Sequence, residues 1–334
     1  MDLELAPADE AARATIAELL DEHSPVAVVR AAEPLGFHQV LWDALFVAGV
    51  TDWGTVHGFG LLGLAKSMHE VGARIAPVTL AEHWTATRLV AAAEGAGILA
   101  ADPLTIALRP STSGRAGLVP AGAVAPLLVA VDHDELVLVG PPEVLPPSPR
   151  NTATSPIADR DLGGENAGTR VVLATGARAH QLHAGAVDEW RVLTAAALAG
   201  LGRRALDLAV AHVLDRHQFG VAIGSFQAVQ HRLADIVTAL DAVDLLVAEA
   251  AWAAHAEPAR APSLAVMAFV AATDAARASA AASLQLHGGY GYTLDRDVQL
   301  YYRRAKGWPM SLGDPAAELD VLADRLWPRT AGVA

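Results

Sequence analysis

RHQFGVAIGSFQAVQHRLAD, residues 216–235, decides how the rest of the chain is read. One helical pattern runs out as this stretch begins, and another is under way before it ends. From Phe226 the apolar residues fall at Phe226, Val229, Leu233, Ile236, Leu240, Val243 and Val247. That alternation of threes and fours draws one apolar stripe along a helix. Between the two helical patterns lies Gln218-Phe219-Gly220, where Gly220 can supply a left-handed or tight-turn conformation. A connector this short makes the helices antiparallel neighbours. On pattern alone, this is a helix hairpin with a buried Phe.

The residue identities carry more. Arg216-x-x-Phe219-Gly220, followed by Phe226-Gln227-x-Val229-x-His231-x-Leu233-Ala234-Asp235, resembles the signature of the acyl-CoA dehydrogenases. A second block agrees: Gln285-Leu286-His287-Gly288-Gly289-Tyr290-Gly291-Tyr292, then Tyr302-Arg303-Arg304-Ala305-Lys306. The family pattern there is Gln-x-x-Gly-Gly-x-Gly-(Phe/Tyr), then Arg-Asp-Ala-Lys. Both blocks lie in the family's order and spacing, and the resemblance is clearest over 188–306.

Composition is compatible with that resemblance. A chain of 334 residues, 53% of them hydrophobic, can bury a large core in two or three domains. Net charge is −13 with no basic tract, which argues against nucleic acid or an anionic membrane as partner. There is no cysteine, hence no disulfide framework and no thiolate chemistry. The start, MDLELAPADEAARA, has no basic segment followed by an apolar one, so no secretory signal is expected. The run 117–131 is broken by Pro120 and Pro126 and is too short to span a bilayer. A cytoplasmic location is the expectation.

The chain divides by period. Residues 7–20, 37–48 and 61–75 have helical patterns, and Ala76-Pro77 stops the last. Another helix is expected over 79–96, with Thr79 as N-cap and Glu82 as its capping-box partner. From about Pro103 short β-type runs follow: TIALRP, GLVPAG, PLLVAVD, ELVLVG and TRVVLAT. The segment 141–161, rich in Pro and polar residues, has the composition of an extended loop. Helical patterns return over 188–214, 225–255 and 262–286, with a shorter tail. The expected class is α+β, mainly α. The resemblance implies the acyl-CoA dehydrogenase fold, with an N-terminal helical domain (1–102), a central β-domain (103–180) and a C-terminal four-helix bundle (181–334).

The resemblance also implies a chemistry. In this family a flavin takes a hydride from Cβ of an acyl-CoA while a carboxylate removes the α proton. The Arg and Phe of Arg-x-x-Phe-Gly reach a neighbouring subunit's FAD, the Arg lying on its pyrophosphate. A guanidinium fork suits that contact because it meets two phosphate oxygens. Carried over, these are Arg216 and Phe219, helped by Gln218, Ile223 and Phe226. Gln285, Gly288 and Gly289 occupy the second cross-subunit contact, where absent side chains let backbone approach the cofactor. Gly288-Gly289-Tyr290-Gly291 is not a Rossmann fingerprint, since it follows a helix at the wrong spacing.

Two departures matter. Members that bind their own flavin carry a Thr-Glu-Pro-x-x-Gly-Ser-(Asp) loop and a Trp-Ile-(Thr/Ser) strand. Neither is found; the nearest stretch is Pro110-Ser111-Thr112-Ser113-Gly114. The family's base is the Glu of a Tyr-Glu-Gly-Thr segment, and ungapped counting puts Leu312 there. A minority places the base on the earlier helix, one residue before an Arg, and that position holds Trp190. No catalytic residue is therefore assigned to this chain. His180 and His183 are spaced i, i+3, but no third ligand joins them and no metal is expected. No P-loop or Gly-x-Ser-x-Gly occurs.

The resemblance is nearest to the shorter subunits of heteromeric acyl-CoA dehydrogenases of bacterial sterol side-chain degradation. It implies a half-site partner in an α2β2 complex, sharing FAD with a longer flavin-binding subunit and forming a trans-2-enoyl-CoA. Two alternatives stand beside it. One is a self-sufficient homomeric dehydrogenase with Glu189 or Asp314 as displaced base; the other is a purely structural or regulatory subunit.

Overall fold

The computed structural model describes residues 7–55, 59–94, 101–164 and 166–328. Five helices come first: α1 (Pro7–His23), α2 (Val26–Ala31), α3 (Gln39–Val47), α4 (Leu61–Ala73) and α5 (Leu80–Glu94). Six strands follow: β1 (Leu104–Ile106), β2 (Arg115–Val119), β3 (Leu127–Asp132), β4 (Glu135–Gly140), β5 (Ala158–Asp161) and β6 (Thr169–Thr175). Then come the long helices α6 (Gly176–Asp215), α7 (Gln227–Ala256) and α8 (Ala261–Leu286), and the shorter α9 (Val298–Gly307) and α10 (Ala317–Leu326).

The strands form a sheet of order β1-β3-β4-β6, parallel between β1 and β3 and antiparallel elsewhere, with β2 and β5 paired separately. Strand β3, LLVAVD, is apolar almost throughout because both of its faces are buried. Val129 and Val131 face the helical core, while Leu128 and Ala130 join a second cluster with Val119, Val137 and Leu162. Strand β5 corrects the loop expected over 141–161. Its sequence, ADRD, carries no apolar alternation, and pairing with β2 is what makes it a strand.

Helix α6 is the axis of the molecule. At 40 residues it is about 60 Å long, and it packs against α4, α7 and α8. It begins at Gly176 rather than near 188. Its first turns bury Ala179, His183, Ala186 and Val187, a helical stripe of small or polar residues without the aliphatic signal of the rest. Close approach to α4 is fixed by two glycines. A Cβ on Gly72 would lie 1.8 Å from the Ala197 carbonyl oxygen, and one on Gly200 would lie 1.9 Å from that of His69. The apolar stripe expected on α7 is buried at Ile236, Leu240, Val243 and Val247, but its first turns stand open to solvent. Helix α8 is long and apolar enough to cross a membrane, yet 61% of its most apolar window is buried inside the fold.

The capping box expected at α5 does not form. Thr79 Oγ1 is buried without a hydrogen-bond partner, and the Glu82 carboxylate turns instead to the Trp190 indole. That carboxylate is shared between the buried Trp190 N–H on α6 and the backbone of Glu82 itself, and Thr79 is left out.

Beneath β1, His83 is fully buried and its Nδ1 accepts from the Leu104 amide at 3.0 Å, which leaves the proton on Nε2. Nε2 has no hydrogen-bond partner. Burial pushes this imidazole down to about 4, with the Thr51 backbone opposing. The unfolded chain takes up the proton below about pH 6.5, so acid favours unfolding between there and about pH 4. We expect about 3 kcal/mol of stability to be lost across that window. In a pH series of unfolding midpoints, His83→Gln should flatten this limb; an unchanged slope would show that other groups set it.

Candidate functional site at the bundle end

Helices α6 and α7 are joined by more than a three-residue connector. His217–Gln218 (β7) and Val221–Ala222 (β8) pair as a two-residue hairpin, and a 3-10 turn over Ile223–Ser225 leads into α7. The two tip residues, Phe219 and Gly220, have φ of +54° and +82°. Both positive values belong to a type I′ turn, which Asn-Gly or Gly-Gly fills without strain. A bulky residue in that region costs roughly 1–2 kcal/mol. Phe219 nevertheless sits there, 93% exposed, so the buried Phe of the hairpin reading is overturned. Its ring meets that of Phe226 edge-on, at 6.2 Å and 78°.

The other expected cofactor residues flank this tip. Arg216 caps α6, its amide donating to His212 O, and its guanidinium has no ion pair among the described residues. Gln218 Nε2 donates to the His217 carbonyl at 2.6 Å, and Ile223 N to that of Arg216 at 2.8 Å. Gln285 is exposed in the last turn of α8. Gly288 and Gly289 are exposed as well, and a Cβ built on either meets nothing within 4 Å. The positive φ of Gly288 accounts for its identity, but nothing in this chain requires a glycine at 289. The two sequence blocks are brought together by His212 and His287, whose rings stack at 4.2 Å and 20°.

The two positions expected for a base lie elsewhere: Trp190 lines a cavity of about 80 Å³ with Met68, Thr79, Glu82, Arg304 and Ser311 among others, and Leu312 follows Ser311. Pockets for drug-sized ligands hold roughly 300–1,000 Å³. Trp190 is one wall of this small cavity: it is 1% exposed, tilts against Phe269 at 5.8 Å and donates Nε1–H to Glu82 Oε1 at 3.1 Å. Leu312 packs against the same helical core. Glu189 points away into an ion pair with Arg88, at 2.7 and 3.1 Å. Asp314 is exposed and accepts from the Ala316 amide.

Sequence reasoning missed Glu82, assigned above to a cap. Part of the residue faces the cavity, but its carboxyl is enclosed by protein, and burial raises its pKa against the lowering effect of the Trp190 hydrogen bond. It also missed Glu33, which accepts from Arg303 at 2.5 Å and from the buried Arg304 at 3.2 Å. Both contacts join residues more than a hundred positions apart, and no local pattern announces them. On α6, Asp188 and Arg191 pair with each other, Arg191 also with Glu318 and Asp188 with Arg325. His183 Nε2 donates to Ala107 O at 2.7 Å, which engages it in the core, and no group of three metal-ligating side chains occurs among the described residues.

The nearest stretch to a flavin loop is tied down by local hydrogen bonds and by β3. Ser111 Oγ accepts the amides of Ser113 and Arg115 at 3.2 Å, and Asp132 Oδ1 accepts that of Gly114 at 3.3 Å.

Comparison with known proteins bears on what this arrangement belongs to. The profile of the acyl-CoA dehydrogenase C-terminal domain matches residues 180–327. The acyl-CoA dehydrogenase IpdE2 of Mycolicibacterium smegmatis is 30% identical, over 93% of this chain and 96% of its own. In structure the chain is similar to one in the ChsE4-ChsE5 complex of Mycobacterium tuberculosis, with TM-score 0.84 and 22% identity over the whole of both chains. It is also similar to the Tcur3481-Tcur3483 steroid acyl-CoA dehydrogenase, with TM-score 0.78 and 24% identity over 96% and 97% of the two chains. The motif blocks at the bundle end, the mainly α fold and the full-length likeness to IpdE2 agree, and the chain belongs to the acyl-CoA dehydrogenase family.

Proposed function

We propose that this chain is the half-site subunit of a heteromeric, FAD-dependent acyl-CoA dehydrogenase. It contributes flavin contacts to a longer partner, in an α2β2 complex, and carries no base of its own. One juxtaposition supports this above the rest. A strained, bare aromatic tip beside an unpaired guanidinium is kept at the bundle end, while both base positions, Leu312 and Trp190, are incapable of proton transfer. An exposed residue held in a costly conformation points to a function rather than to packing. The ChsE4-ChsE5 and Tcur3481-Tcur3483 structures are of paired chains, and the second is a steroid enzyme, which favours a bulky steroid-class acyl-CoA.

Flavin, when bound in the complex, supplies the hydride acceptor. This chain's residues hold and orient it: Arg216 for the pyrophosphate, Phe219 and Phe226 as apolar contacts, with Gln218, Ile223 and Gln285 beside them. Gly288 and Gly289 leave room for close backbone approach. The acyl site of this chain is closed by Trp190. One observation favours a second reading, in which Glu82, enclosed beside the blocked base position, serves as a displaced base of a self-sufficient enzyme.

Arg216 separates a flavin contact from surface charge. Losing one charge-assisted hydrogen-bonding group should cost roughly 1.5–3 kcal/mol, so Arg216→Ala should weaken flavin retention by the complex while assembly survives. Flavin affinity equal to wild type in the purified mutant complex would return Arg216 to the solvent.

A further inference from the structure

We propose that the cavity beside Trp190 binds a short-chain carboxylate, the size of acetate or propionate, on the guanidinium of Arg304. The site needs neither flavin nor a partner subunit. The family's pattern, with Asp where Arg304 stands, assigns it no ligand. Arg304 is 2% exposed and lines the cavity. Its Nη1 donates to Glu33 Oε1 at 3.2 Å and to Leu300 O at 3.4 Å. Its Nε and Nη2 have no acceptor among the described residues. Those two N–H groups form one edge of the guanidinium, and such an edge meets both oxygens of a carboxylate. Glu33 does not use up the charge. Arg303 Nη2 donates to the same Oε1 at 2.5 Å, so two guanidiniums share one carboxylate. Glu82 is the one acid lining the cavity among the described residues, and burial raises its pKa, which favours the neutral form. The balance of charge therefore suits an anion.

A second observation points the same way. Thr79 lines this cavity at 3% exposure, and its Oγ1 has no hydrogen-bond partner. A buried hydroxyl without a partner costs stability, and a ligand oxygen in the cavity removes that cost. Met68, Val71 and Val78 supply apolar wall for a methyl or ethyl group. The cavity, at about 80 Å³, is roughly half the size of one that takes benzene. Acetate fits such a space, and a long acyl chain does not.

Ordered water is the plainer occupant of a small polar cavity. Water satisfies the Thr79 hydroxyl equally well, but it carries no charge to match Arg304. The two occupants therefore differ in whether binding depends on the charge of the ligand.

The test titrates acetate, acetamide and benzoate into the full chain, alone and in its complex. Binding is read by calorimetry and by the rise of the unfolding midpoint that a ligand of the folded state causes. Acetate should bind with a Kd of about millimolar order, as suits so few atoms, acetamide roughly tenfold more weakly or worse, and benzoate not at all. Arg304→Met keeps the bulk of the side chain and leaves Glu33 with Arg303; it should weaken acetate by roughly tenfold or more. Thr79→Val removes the unpartnered hydroxyl; it should weaken acetate about threefold and leave the midpoint of the unliganded protein unchanged or higher. Wild-type acetate affinity in either folded variant would overturn the site. Acetamide binding as tightly as acetate would overturn a carboxylate as its ligand, and benzoate doing so would overturn a short one. No acetate binding at all would return the cavity to water. If Arg304→Met does not fold, Thr79→Val and the acetamide comparison still decide the matter.

Discussion

Glu82→Gln, Glu189→Gln and Asp314→Asn should each leave turnover of the assembled complex within a few-fold of wild type, while removing the partner's own base abolishes it. Proton abstraction needs a carboxylate within about 3 Å of the substrate's α proton, or one water away. Glu189 is one residue from the helix base position, a step that turns a side chain by about 100°, and Arg88 holds it there. Asp314 lies beyond the other position and caps the turn before α10. Glu82 lines the cavity with part of its side chain, but its carboxyl is enclosed and accepts the Trp190 N–H, and burial favours its protonated form. Losing a general base typically costs a factor of 10² or more. A loss of that size from any of the three, with flavin content and assembly normal, would give this chain its own active site.

The second large effect is on stability. Arg304 stands where the family has Asp, and it is buried at 2% exposure. Burial is the main influence on its guanidinium, pushed down to about 10, and the Glu33 carboxylate offsets part of that cost. Removing one partner of such a pair strands the other charge, at about 3–5 kcal/mol. Glu33→Ala should therefore lower the unfolding midpoint of the complex substantially, and adding Arg304→Met should restore most of it. A loss under about 1 kcal/mol in the single variant would mean that water replaces the carboxylate.

These cases mark what the sequence could carry. The two motif blocks were legible because each is local: a turn, a cap and a glycine pair within a few residues of one another. Counting past the second block also named Leu312 as one expected base position, and the Arg on the earlier helix named Trp190 as the other. The long helices were legible where leucine and valine recur at helical spacing, but the start of α6 was not, because alanine and histidine make its buried stripe. Strand β5 was hidden because only its partner β2 makes it a strand. Glu82 and Glu33 were out of reach for another reason. Their partners, Trp190 and Arg304, are brought to them by tertiary packing alone. The strained tip was half legible: Gly220 announced a tight turn, but nothing in the pattern announced the positive φ of Phe219.

The central claim is that this chain lends contacts to a flavin it does not hold. Counting flavins per chain, first in this protein expressed alone and then in the complex co-purified with a longer partner, tests it most directly. Alone, the chain should be colourless or hold flavin only weakly, and poorly soluble where its apolar partner surface is bare. In the complex, flavin should equal the number of partner chains and fall short of the total. Bright yellow homotetramers with one flavin per chain would contradict the account.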